Sequence, residues 1–265
     1  MLDELILGNG SLKLDTRYDR QSAYTSNVQA IVGNLPTAPV SPYSGPTTLY
    51  PMNLPPQRPQ DSVGVYIVAA STNASANWRG CHVQVSYDGM ESWQTALQIT
   101  MEGTIGTVLL DEPTGGEPIT VQSIKYDLEN ATLAQLSAGA NAFAVISSDD
   151  VTQLGLFGTA TELATDKQYE LTELSRSLGG TAAADMYAGD RFALMDAAYF
   201  LPIDPSFAGR TLYFRGVGFG ESAEGSQIFS LVYTALSAVP GQQRIAEDGT
   251  LRVAEDGFNL RFTES

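Results

Sequence analysis

The 265-residue chain has one cysteine, one histidine and, at Lys13, Lys125 and Lys167, very few lysines. With Cys81 alone, no intrachain disulfide can form, and a zinc site built from several Cys and His residues is excluded by count. Cys81 and His82 are adjacent. Neighbours in a strand point to opposite faces, so the pair is a poor arrangement for a Cys-His nucleophile, and Cys81 reads as a small buried hydrophobe. Fourteen Lys and Arg against thirty Asp and Glu give a formal charge of −16. Such a field repels a phosphate backbone and an anionic membrane surface, so neither nucleic acid nor membrane is an expected partner. No apolar run approaches the roughly 20 residues that span a bilayer. The opening stretch MLDELILGNGS places Asp3 and Glu4 where a secretory signal carries positive charge, so synthesis as a soluble cytoplasmic chain is expected.

Proline is concentrated rather than scarce. Eight of the thirteen prolines lie between Leu35 and Gln60. Proline fixes φ and has no N–H, which excludes a regular helix or a central strand there. Residues 1–60 are therefore expected to form an extended N-terminal arm, with Tyr43, Leu49, Tyr50, Met52 and Leu54 as anchors along a surface.

From Ser62 the pattern alternates with period two. SVGVYIVAAS, CHVQVSYDG and SWQTALQI read as strands, the last two joined through Asp88–Gly89 as a hairpin. NATLAQLSAGANAFAVIS starts like a short helix and returns to strand character at AFAVIS. The remaining runs are nearly all strand-length and bounded by Gly, Asp or Pro. The expected fold is all-β, with two small sandwich- or barrel-like domains. The first, with fibronectin- or lectin-like hairpins, spans 61–120 and the second 121–237. A tail over 238–265 repeats RIAEDGTL, RVAEDGFNL and RFTES, and Arg244, Arg252 and Arg261 open its units as candidate assembly contacts. One such unit buries too little to fold alone, so strand addition to a partner is a natural use for it.

Candidate sites are few. Trp78, Tyr87 and Trp93 are aromatics of the kind that stack on sugar rings, and Asp88 can accept hydroxyl hydrogen bonds. In a small sandwich, the alternative for a tryptophan is the core. YELTELSRSLGGT has an arginine beside a Gly-rich turn. Phosphate binding would need a following helix, which TAAADMYAGD supplies only weakly. Arg176 is therefore expected to brace a turn in which Gly179 and Gly180 supply positive φ. No two carboxylates are singled out by spacing, and no nucleophile elbow, Walker loop or full calcium loop is present. The chain is read as not an enzyme, with no cofactor and no metal.

Five segments in order carry a family resemblance. LENATLAQLSAGANAFAVIS is similar to a stretch of small residues closed by Gly-x-Asn-x-Ala, and QLGLFGTATEL to an apolar strand ending in Phe-x-x-Ala-Thr. YELTELSRSLGGT is similar to Tyr-x-Leu-x-x-Leu-x-Arg-Gly-x-x-Gly-Thr. AGDRFALMD is similar to a Gly-[Asp/Glu]-Arg-Phe-x-Leu strand, and GRTLYFRGVGFG to Gly-Arg-x-Leu-x-Tyr-Arg-Ala-Val-Gly. Residues 126–233 thus resemble the tail-tip, baseplate-hub or "host specificity" proteins of long-tailed bacteriophages and gene transfer agents. Ser177 stands where that family has glycine, and Gln153 near where it has glutamate. The resemblance implies a structural virion protein of the tail tip or baseplate that contributes to host attachment. It also implies other tail proteins as partners, in trimers or multiples of three. The alternative is a carbohydrate- or receptor-binding module, adhesin-like, that uses the Trp78–Trp93 hairpin against a host-surface glycan.

Overall fold

The structure is a computed structural model that describes residues 2–8, 11–16, 46–73, 77–114, 116–237, 244–245 and 251–252. The chain divides into two compact units, Met1–Pro42 and Tyr43–Ser265. In the first, β1 (Leu2–Gly8) and β2 (Ser11–Thr16) form an antiparallel hairpin closed at Gly8 and Ser11, with an irregularity between Leu2 and Leu5.

The second unit opens with β3 (Thr47–Met52), β4 (Gly64–Ser71), β5 (Cys81–Ser86) and β6 (Gln94–Ile99). Six strands follow: β7 (Ile105–Val108), β8 (Ile119–Ser123), β9 (Ala142–Ile146), β10 (Thr152–Glu162), β11 (Gln168–Arg176) and β12 (Arg191–Leu194). Then come β13 (Tyr199–Pro202), β14 (Thr211–Gly218) and β15 (Ile228–Val232). Strands β7 to β12 close into a barrel in the order β10–β11–β8–β7–β12–β9. The strands before and after it interleave, giving a three-stranded sheet β13–β4–β3 and a four-stranded sheet β15–β14–β5–β6. The fold is all-β, as the alternation predicts. Among the described residues, no helix is long and apolar enough to cross a membrane.

The expected division at residues 120 and 121 does not follow the strand pairing. Strand β8 runs through it, and β13 and β14 return to pair with β4 and β5. A barrel is thus inserted into a sandwich, a long-range closure that no local pattern announces.

The three-stranded sheet is buried on both faces. Val65, Ile67 and Ala69 of β4 pack towards the four-stranded sheet with Leu49, Val83, Val85, Leu212 and Phe214. The alternate residues Tyr66, Val68 and Ala70 pack with Ile105, Ala144, Ile146 and Ala193 on the outside of the barrel. GVYIVAAS, expected to alternate, is instead buried at every position, because both sides of the strand are covered. A third core fills the barrel with Phe143, Phe157, Leu171 and Phe192 at its centre.

The proline-rich stretch also departs from expectation. Leu49, Tyr50, Met52 and Leu54 are buried as anticipated, but residues 47–52 form strand β3 of the sandwich rather than an arm along a surface. Pro51 is tolerated because β3 is the edge of its sheet, where a missing N–H breaks no ladder on the open side. Tyr43 and the other prolines before residue 46 lie outside the described residues.

The ambiguous NATLAQLSAGANAFAVIS resolves into α1 (Leu133–Ser137), a single turn with a reciprocal Thr132–Gln135 capping box, followed by β9. In the tail, β16 (Arg244–Ile245) and β17 (Leu251–Arg252) form a short antiparallel pair with Arg244 opposite Arg252. The third repeat, at Arg261, lies outside the described residues.

Candidate functional site

The aromatic hairpin separates on folding. Trp78 is 7% exposed, packs in the sandwich core and donates its indole N–H to Thr47 Oγ1 at 3.0 Å. Its polar tip is satisfied within the core, so Trp78 is no glycan platform. Tyr87 is half-buried and packs against Phe207, ring centroids 4.6 Å apart. Trp93, also half-buried, lies under the Arg215 guanidinium, whose Cζ is 4.1 Å from the ring centroid. The chain places only Trp93 of the two indoles on the outer side of the sheet.

Asp88 organises the β5–β6 turn. Its carboxylate accepts from Ser86 Oγ at 2.7 Å, from the Ser92 backbone N–H at 3.0 Å and from the Ser92 hydroxyl. Ser86 Oγ in turn accepts the Met90 N–H at 2.8 Å. These donors hold the Asp88 carboxyl down at about 2. Gly89 and Met90 take the left-handed conformation, φ 79° and 75°, so the reversal sits one residue beyond the Asp-Gly step. Asp88 is a turn former rather than a free acceptor.

Cys81 and His82 diverge, as neighbours in a strand must. Cys81 lies in the sandwich core, and burial pushes its thiol up to about 12. His82 faces outward against Phe219, 4.9 Å between ring centroids, within 3.3 Å of the Gln98 amide.

The second candidate closes one end of the barrel. Along β11, Tyr169 and Leu171 point inward, and the next inward residue is Leu174. Glu173, with φ 57°, lies opposite Gly158, where a Cβ would come within 2.3 Å of the Glu173 carboxylate. Ala160–Leu171 and Phe157–Leu174 both pair on the inner side, so the alternation shifts by one residue in both strands together. Arg176 follows, directly opposite Gly155.

There the guanidinium spends its donors. Nε and Nη2 both donate to Gln153 Oε1, at 3.2 and 2.8 Å. Nη2 also reaches Ala184 O at 2.8 Å, and Nη1 reaches Pro113 O at 3.2 Å and Gly116 O at 3.4 Å. Two loops that cover the barrel end are thereby tied to β10 and β11. Glu112 and Met186 bridge the same loops, and Met186 inserts into the barrel core. Desolvation lowers the arginine's pKa, and Glu112, Asp185 and Glu117 pull it back up. Gly179 and Gly180 have φ of 60° and 80°, and a Cβ on Gly179 would lie 2.5 Å from the Gln57 amide oxygen. The Thr181 hydroxyl donates to Leu178 O at 2.7 Å and accepts the Leu154 N–H at 3.0 Å. Gly179 and Gly180 take the positive φ that the sequence implies, but the Thr181 hydroxyl ties this turn, and the Arg176 hydrogen bonds go to Gln153 and to the loops at Pro113, Gly116 and Ala184. What the sequence leaves out is the reach of Arg176, which binds carbonyls of distant loops rather than its own.

Among the described residues, no group of three or more His, Cys, Asp or Glu side chains could hold a metal ion. A shallow open depression of about 280 Å³ is lined by Ser147, Tyr187, Asp190 and Arg191. Its cation is already engaged, since Arg191 pairs with Asp150 at 2.7 Å and lies 5.7 Å from the Tyr50 ring.

A family model described as Rcc01698-like, C-terminal, matches residues 101–193. That segment is similar to this family along the whole course of the barrel, from the approach to β7 through Ala193 in β12. The sandwich strands on either side lie outside the match. No curated protein matches the chain.

Proposed function

We propose that this chain is a structural component of a bacteriophage tail tip or baseplate, assembling with other tail proteins and contributing to host attachment. The observation that carries the reading is where the resembling segments fall. QLGLFGTATEL makes most of β10, YELTELSRSLGGT is β11 with the Gly179–Gly180 turn that follows it, AGDRFALMD contains β12, and GRTLYFRGVGFG contains β14. These elements close the barrel and occupy an inner position of the four-stranded sheet. The similarity to tail-tip proteins therefore follows the scaffold rather than a surface loop. Its partners are other tail proteins, in trimers or multiples of three, and its place is the virion. Gold labelling of a C-terminal tag on purified particles, viewed by electron microscopy, tests this. Label at the distal end of the tail is expected, and particles without label would remove the reading.

A second reading, a glycan- or receptor-binding module, is favoured by one observation. Trp93 and Arg215 lie stacked on the outer side of the four-stranded sheet. Trp78 plays no part in it. Loss of glycan-array binding in Trp93→Ala, with folding intact, would support this reading.

A further inference from the structure

The four strands β15, β14, β5 and β6 contain no Asp, Glu or Lys, in a chain with thirty acidic residues. Their one Arg is Arg215. Val83, Val85, Leu212 and Phe214 face the sandwich core, so alternation turns Gln84, Tyr213 and Arg215 to the other side. Strand register sets the outer face out in rows. Gln84, Arg215 and Ile228 form one row, and Ser86, Tyr213 and Ser230 the next. The rows are two residues apart, roughly 7 Å along the strands.

Arg215 donates through Nε to Gln84 Oε1 at 2.8 Å and stacks on Trp93. Its two Nη groups donate to no described residue, and no carboxylate pairs with it among the described residues. Desolvation is the cause that lowers its pKa, with no compensating anion. The Tyr213 hydroxyl likewise has no hydrogen-bond partner among the described residues. The platform is held in advance, because the Asp88 knot fixes the N–H groups of Met90 and Ser92 just before Trp93.

We infer that this outer face binds a hexuronate, a pyranose that carries a carboxylate, around Trp93 and Arg215. The inference rests on the second reading above and gives it a ligand class. A planar guanidinium with its Nη edge open is matched to a carboxylate, which it can bind through two parallel hydrogen bonds. The adjoining indole offers apolar ring surface to a sugar's C–H face. Gln84, Tyr213 and Ser230 supply donors and acceptors for ring hydroxyls. An acidic peptide would satisfy the guanidinium but would bring no hydroxyls for the flanking groups, which favours the sugar.

The test is calorimetric titration of the full chain with hexuronate oligomers of three kinds: galacturonate, mannuronate/guluronate and glucuronate-containing. Neutral galactose and glucose oligomers and an oligoglutamate peptide serve as comparisons. At least one hexuronate should bind about tenfold more tightly than its neutral counterpart. Arg215→Gln should remove that preference, and Trp93→Ala should remove binding. Failure of all three hexuronates up to millimolar concentration overturns the inference, as does equal binding of oligoglutamate. Neutral sugars bound through Trp93 with no dependence on Arg215 would also overturn it, while leaving the broader glycan reading standing. The wild-type comparison of charged with neutral sugars decides the matter even if a variant fails to fold.

Discussion

Arg176 and Arg215 are both half-buried on strands, and each bonds a glutamine through Nε. They then differ in what surrounds the rest of the fork. At the barrel end, three backbone carbonyls and Gln153 take up the Arg176 donors, with Glu112, Asp185 and Glu117 close enough to favour its charge. On the four-stranded sheet, the Arg215 Nη groups meet no acceptor among the described residues, and the strands around it carry no carboxylate. An arginine's bonding, not its place beside a glycine-rich turn, separates a structural brace from a fork left open. The Gly-rich motif, which looks the more functional on paper, holds the brace.

The largest effect should come from breaking the brace. Arg176→Ala leaves the Gln153 oxygen and the loop carbonyls without their shared donor, and should destabilise the chain by about 3 kcal/mol in urea unfolding. Arg176→Lys should recover less than half of that, because an ammonium cannot span acceptors on three segments as a planar fork does. Full recovery by lysine would show that charge rather than geometry matters there. Arg215→Gln, by contrast, removes a cation–π contact and one hydrogen bond on an open face, and should cost under about 1 kcal/mol. Equal losses at the two arginines would collapse the distinction between them.

A smaller effect sharpens the Arg215 side. The Asp88 carboxyl is held at about 2, below its ordinary 3.8, by the Ser92 hydroxyl and backbone N–H and then by the Ser86 hydroxyl. A depressed folded-state pKa means the contribution is present above the unfolded value and is lost as pH falls through about 2. Trp93 fluorescence should therefore stay constant from neutral pH to about 4 and change as pH falls towards 2. In Asp88→Asn that acid step should disappear, and the Met90 and Ser92 amides should exchange faster at neutral pH. An unchanged acid step in the variant would mean that another carboxylate seats the turn.

Much of this was legible in the sequence, though unevenly. Period-two runs and the Gly179–Gly180 turn follow from local chemistry, and the all-β class follows from the alternation. The insertion of the barrel between β6 and β13 is a matter of long-range pairing, invisible to local pattern. Reading GVYIVAAS as alternating missed that it is covered on both sides, since its second face is supplied by a barrel far along the chain. For the site, proximity in sequence brought Trp78, Tyr87, Asp88 and Trp93 together as a group, but the irregular segment before β5 carries Trp78 into the core, where it bonds Thr47. Arg215 was missed because its partners Gln84 and Trp93 lie more than a hundred residues away, although the absence of acids from all four strands was readable in advance.

The smallest effect concerns Ser177, which follows Arg176 and adopts φ 61° without being glycine. A side chain in this left-handed region costs about 1 kcal/mol relative to glycine. Ser177 Oγ also accepts from Gln153 Nε2 at 3.2 Å, so the hydroxyl helps orient the amide that receives Arg176. Ser177→Gly relieves the backbone and gives up the hydroxyl, and the two terms should cancel to within about 0.5 kcal/mol. Ser177→Ala keeps the strain and loses the hydrogen bond, and should be less stable than wild type by about 1 kcal/mol. The difference between the two variants isolates the backbone contribution. If alanine and glycine prove equal, the left-handed backbone at 177 is not a constraint on the brace.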